Sequence, residues 1–172
     1  MEIAQEGTQV LRDIAEPIAE REFGGAALAK LLKDMALALD AQPDGVALAA
    51  PQIGVSKRIF ITREDRMLSP SEEGAPVPPP TVGVFINPEL IRVSRCKEEM
   101  DEGCLSVRGI YGRTKRHERA TVKAYDADGN SFTRGAGGIL AQAFQHEIDH
   151  LDGILFIDHA KHLVEAEHRD HA

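Results

Sequence analysis

The chain has no tryptophan, only two tyrosines and only two cysteines among its 172 residues. Two thiols, Cys96 and Cys104, cannot build a disulfide scaffold, and such sparing use fits a reducing compartment. No apolar run approaches the ~18 residues that a membrane helix needs. The opening Met1-Glu2-Ile3-Ala4-Gln5-Glu6 lacks the basic and apolar regions of a signal peptide. Positive charge is scarce as well: 20 Lys and Arg against 28 Asp and Glu leave a net charge of −8. That balance excludes general binding to a phosphate backbone. What remains is 42% hydrophobic and 28% charged, the make-up of a folded globular chain of one-domain length. The expectation is a cytoplasmic monomer forming a single domain over residues 1–172, with neither nucleic acid nor membrane as partner.

Residues 26–41 carry Leu28, Leu31, Leu32, Met35 and Leu39 on one helical face, with Lys30, Lys33 and Asp34 opposite. Pro43 and Gly45 close that helix. A small-residue apolar segment, Val46–Val55, follows, and Ile59, Phe60 and Ile61 within Lys57–Thr62 predict a buried strand. Residues 66–81 hold five of the nine prolines and read as an extended, solvated loop. Gly83–Asn87 and Glu89–Cys96 read as two strands separated by Pro88. Ala120–Tyr125 and Ser131–Arg134 flank Asp128-Gly129, a hairpin-turn signal. A second helix spans Gly137–Leu151 and stops at Asp152-Gly153. The polar tail, 158–172, predicts a short helix from about His159 to Arg169. Strands outnumber helices and hairpins dominate, so the class is α+β with mostly antiparallel sheet.

The second helix contains Gln145-His146-Glu147-Ile148-Asp149-His150. His146 and His150 stand one turn apart on one face, so both imidazoles can reach the same divalent cation at about 2.0–2.1 Å. Glu147 lies off that axis, placed to move a proton rather than to ligate. Seven histidines in 172 residues make this triplet by chance on the order of a few hundredths of a time. A catalytic site takes a third protein ligand and leaves one position open. Candidates downstream are His159, His162, Glu165, Glu167 and His168, as in a metallo-endopeptidase. The upstream candidate is Cys104, within Glu102-Gly103-Cys104-Leu105-Ser106. Composition does not choose between them.

Three segments, Gly45-Val46-Ala47-Leu48-Ala49-Ala50-Pro51-Gln52, Glu102-Gly103-Cys104-Leu105-Ser106 and Gln145-His146-Glu147-Ile148-Asp149-His150, together resemble the peptide deformylase family. Gly7-Thr8-Gln9-Val10-Leu11-Arg12 resembles its opening, so the likeness runs over roughly residues 5–157. It implies antiparallel sheets packed around a central helix bearing the two histidines. It implies one divalent ion on Cys104, His146 and His150, Fe(II) by expectation, with Zn, Ni or Co as substitutes. Glu147 would serve as general base and then acid. The Gln52 amide and the Leu105 backbone N–H would form an oxyanion hole. The implied reaction is hydrolysis of the N-formyl group from formyl-methionyl nascent peptides, releasing formate, with transient ribosome contact. Gly45, Val46, Ala47, Gly103, Ile139 and Ala143 would border the substrate, and Glu102 and Gln145 would orient ligands. A silent binding protein that keeps the metal without turnover is the remaining alternative.

Two positions depart from the family pattern: Ala47 stands where Gly is usual, and Arg108 where Pro commonly follows Ser106-Val107. A Cβ at 47 would narrow the cleft or demand a φ that only glycine takes. Other suggestive residues have plainer readings. Cys96 is expected to be a buried structural thiol on a strand. The tail histidines belong to a solvated helix, and Arg113, Lys115, Arg116, His117 and Arg119 to a solvated loop. Asp149 only braces its helix.

Overall fold

The computed structural model describes residues 2–67 and 79–166. Most of the proline-rich stretch 66–81 and the end of the tail therefore lie outside the described residues. The elements are α1 (Ala26–Asp40), β1 (Ala47–Ala49), β2 (Ile59–Arg63), β3 (Val82–Val93), β4 (Lys97–Cys104), β5 (Val107–His117), β6 (Arg119–Tyr125), β7 (Ser131–Gly137), α2 (Gly138–Leu151) and β8 (Lys161–Glu165). They form a five-stranded sheet in the order β1-β2-β3-β6-β7 and a three-stranded sheet in the order β4-β5-β8, with antiparallel pairing throughout. No helix among the described residues is long and apolar enough to cross a membrane.

Both helices form where the sequence reading places them. The α1 face of Leu28, Met35 and Leu39 packs on Leu48, Ile59, Ile61 and Ile86 of the large sheet. Helix α2 buries Ala141, Phe144, Ile148 and Leu151 against the strands bearing Phe60, Phe85 and Val122. The Phe60 and Phe85 rings stack at 4.6 Å, and Phe144 meets Phe85 edge-on at 5.1 Å. Such aromatic pairs fix the position of α2 more closely than area burial alone. Its end is sharp: Gly153 has φ +74° and its N–H caps the His150 carbonyl at 3.1 Å. A Cβ there would lie 2.4 Å from the Arg12 carbonyl, so only glycine fits.

Four sequence expectations need correction. Residues 82–93 make one strand, not two; Pro88 sits in a bulge where Asn87 takes φ +49° and register shifts between Ile86 and Glu89. The Asn87 side chain is fixed there by accepting from Ile18 N–H at 2.8 Å and donating to the Ile18 carbonyl at 2.9 Å. The basic cluster Arg113, Lys115, Arg116, His117 and Arg119 is not a solvated loop: its first four members lie on β5 and pair across a hairpin with the acidic strand β4, and Arg119 opens β6. Glu99 faces Lys115 and Asp101 faces Arg113, opposite charges directly across the pair. Cys96 is exposed, in the connection between β3 and β4. The tail forms strand β8 on the edge of β5 rather than a helix over the described residues.

Candidate active site

Helix α2 carries His146 and His150 with their ring centroids 4.9 Å apart. The third group arrives from the other sheet, at the end of β4. There Cys104 pairs with Val107 across a two-residue turn, Leu105-Ser106. One atom each from Cys104, His146 and His150 lie within 4.8 Å of one another, and the sulfur is 3.2 Å from His150 Nε2. The Ser106 N–H points at that sulfur from 3.4 Å, and Gln52 Nε2 from 3.7 Å. Gln52 is held from both ends: its Oε1 accepts from Ala49 N–H at 2.8 Å, and its Nε2 donates to Ser106 Oγ at 3.2 Å.

Glu102 organises the wall behind the group. Its Oε1 sits 2.6 Å from His146 Nδ1, which leaves Nε2 as the free nitrogen of that ring. Arg116 grips the same carboxylate through Nη2 at 2.6 Å and Nε at 3.0 Å, and Thr114 Oγ1 also donates to it. The remaining Arg116 arm reaches Asp149 Oδ2 at 2.6 Å. Burial alone would raise Glu102, yet the hydrogen bonds from His146 and Arg116 hold it well below the usual carboxylate range. Burial opposes charge on His146 too, but Cys104 and Glu102 outweigh it and raise that imidazole. His150 lacks a carboxylate partner, and burial pushes it well below its ordinary value, toward the neutral form that ligates.

Glu147 differs from every carboxylate around it. Burial pushes it up to about 7, and its Oε2 is buried without a hydrogen-bond partner. A buried carboxylate oxygen with nothing to accept is costly unless a proton or a water belongs there. One thiolate and two imidazoles, beside such an oxygen, suit a divalent transition ion with an open position.

The group opens into a cavity of about 280 Å³ lined by Gly45, Val46, Ala47, Gln52, Gly103, Cys104, Leu105, Ile139, Ala143, His146 and Glu147. All the residues expected to border substrate therefore meet at one cleft. Ile139 is 48% exposed, so it faces the cleft rather than the core. A Cβ on Gly103 would come within 2.8 Å of the Tyr111 ring, so a side chain there would have to displace that ring. Ala47 sits in regular register opposite Thr62, and its φ is not in the left-handed region. The backbone thus accepts alanine without strain. Gln145 touches no ligand; it bonds the His117 backbone at 2.9 and 3.0 Å and ties α2 to β5. Sequence reasoning placed Arg116 in a solvated loop, where the structure buries it, and passed over Thr114 and the fuller role of Asp149. The available signal was the alternation of Gly112, Thr114 and Arg116, all buried on one face of β5. Among the described residues the downstream ligand candidates do not join the group: His159 lies 3.5 Å from Asp149, and His162 and Glu165 are exposed on β8. Glu167 and His168 lie outside the described residues.

A thiol and two imidazoles at the floor of an open cleft, with an unpartnered acid beside them, define a metal-dependent hydrolase. Comparison with known proteins narrows the class. Residues 1–166 match the sequence model for polypeptide deformylase. A peptide deformylase of Carboxydothermus hydrogenoformans is 42% identical over 163 residues, 94% of each chain. Peptide deformylase 1 of Clostridium perfringens is 46% identical over 116 residues, 67% of this chain and 70% of that one. The actinonin-bound class I type b peptide deformylase of Acinetobacter baumannii superposes with a TM-score of 0.81 at 31% identity, covering 94% of this chain and 98% of that one. The chain belongs to the peptide deformylase family, and its reaction is removal of the N-terminal formyl group.

Proposed function

We propose that Cys104, His146 and His150 hold one divalent ion, natively Fe(II), and that the cleft binds the formyl-methionyl end of nascent peptides. A bound cation supplies Lewis acidity, which makes water nucleophilic near neutral pH. The chain's own groups do the rest. Glu147, buried yet near neutrality in its proton affinity, takes the proton of the attacking water at Oε2 and returns it to the departing amine. The Gln52 Nε2 and the Leu105 N–H receive the charge that develops on the formyl oxygen. Gln52 is preorganised for this by Ala49 and Ser106, so little reorganisation is needed. Strand β1 is the outer strand of its sheet, so Ala47 lies on an open edge for a peptide backbone, while the Val46 carbonyl is already taken by the Arg63 N–H at 2.7 Å. Ile139 and Ala143 line the wall for the methionine side chain. Newly made chains supply this substrate, which fits a cytoplasmic monomer making transient ribosome contact.

The convergence of three ligand atoms within 4.8 Å, beside an acid with a free buried oxygen, carries this reading. Formate release from formyl-methionyl-alanine, with bound metal quantified, tests it. The expected result is turnover proportional to metal content; absence of turnover in fully loaded protein overturns it. Fe(II)-loaded protein should lose activity in air while Ni-loaded protein keeps it, because a redox-active ion on a thiolate is open to oxidation. Equal lifetimes would argue against iron as the native ion.

A further inference from the structure

Against β4, strand β5 leaves its register at one place. Gly103 pairs with Tyr111, but the next residue, Cys104, pairs with Val107, so Arg108, Gly109 and Ile110 bulge out of the hairpin. Gly109 takes φ +77°, and its carbonyl accepts from Ala166 N–H at 2.7 Å, so the bulge is anchored by the chain that follows β8. A bulge re-aims the side chains it carries. Here it sends Arg108 over the cleft mouth. Arg108 Nη1 donates to Asp44 Oδ2 at 2.8 Å, and Nη2 donates to Gln42 Oε1. Asp44 belongs to the turn that leads into Val46 and Ala47, the opposite wall. That turn is already fixed from inside, where Arg66 Nη1 donates to the Gln42 and Gly45 carbonyls at 2.8 and 2.7 Å. Arg108 closes it from outside.

We propose that the Arg108 clasp on Asp44 and Gln42 is a specificity determinant, setting how wide the cleft opens to the residue after the formylated methionine. The inference rests on the cleft being the peptide site. A guanidinium with two arms can hold two acceptors in fixed geometry, which a proline at this position cannot do. Both partners are half-exposed, at 44% and 57% of their side-chain surface, so the link stays breakable. An exposed pair of this kind is worth at most ~1 kcal/mol, about a fivefold effect on a rate ratio. The clasp trims selectivity; it does not make or break catalysis.

The test compares kcat/KM for formyl-methionyl-alanine and formyl-methionyl-phenylalanine. In the native protein the ratio should favour alanine. Arg108→Ala should lower that ratio two- to fivefold, mainly through KM for the phenylalanine peptide. Asp44→Asn should give the same shift, and the double variant no more than either alone, since one interaction is lost once. Arg108→Lys should restore part of the selectivity. A salt series on native protein needs no variant: about 1 M salt shortens screening to ~3 Å and should move its ratio toward that of Arg108→Ala. Equal ratios for native and variant protein overturn the clasp. Failure of native protein to release formate from either peptide brings down the functional reading instead.

Discussion

Two arginines of strand β5 grip carboxylates at the same cleft, and their surroundings give them different work. Arg116 is 7% exposed and holds Glu102, itself 3% exposed, behind the floor of the site. Arg108 holds Asp44 at the mouth, where both face solvent. Burial sets the difference. A charge stripped of water must be paired, so Arg116 and Glu102 lock each other and, through Glu102, the ring of His146. At the mouth, water and salt compete for every contact, so the pair can yield as a ligand passes. Glu147 marks a third condition: equally buried, it has no cationic partner, and its proton stays mobile near neutrality.

The comparison breaks most directly at the unpaired acid. Glu147→Gln should lower kcat by about 10²–10⁴ while metal content stays unchanged, because the base is lost and the three ligand atoms are not. Retained turnover would remove Glu147 from the proton path. Next in size, Arg116→Ala should destabilise the fold by roughly 3–5 kcal/mol, since it leaves Glu102 and Asp149 without their cation. Metal affinity should fall about 10–100-fold as His146 loses its brace. Thermal unfolding and metal titration read both, and a loss as small as that at the rim would erase the contrast between the two pairs.

An intermediate case sharpens it. Arg63 and Asp65 pair at 2.9 Å with each side chain 10% exposed. The Arg63 hydrogen bond is the main reason that Asp65 is held at about 2. A depressed carboxylate stabilises the fold above its unfolded value and loses that contribution as pH falls toward its folded value. Asp65→Asn should therefore be less stable than native protein at pH 7, with the gap closing between about pH 4 and 2. Urea unfolding at both ends of that window checks the sign. The smallest effect is expected at Ala47. Its strand geometry suits any residue, so Ala47→Gly should change KM for formyl-methionyl-alanine by less than about twofold and cost ~0.5–1 kcal/mol of stability through added chain freedom. A tenfold gain in affinity would mean that its Cβ crowds the cleft.

Much of this was legible where chemistry is local. The His146–Glu147–His150 face depends only on helical spacing, and α2 ends at Leu151, just before the Asp152-Gly153 stop. The hairpin of β4 and β5 was hidden because its charged residues satisfy one another across strands, a pairing that a linear reading misses when it takes the basic cluster alone as a solvated loop. The tail was polar enough for either helix or strand, and pairing with β5 decided it.

Residue order alone thus settled the two helices, the imidazole pair and the acid beside them, since each is specified by neighbours within a turn or two. Only the folded chain decided that the Cys104 sulfur would meet those rings, that Arg116 would be buried behind them and Arg108 aimed across the mouth. Those outcomes depend on two sheets closing on one helix and on a register shift of three residues, 108–110. Contacts between distant segments are chosen by packing and desolvation of the whole, which no short window of sequence contains.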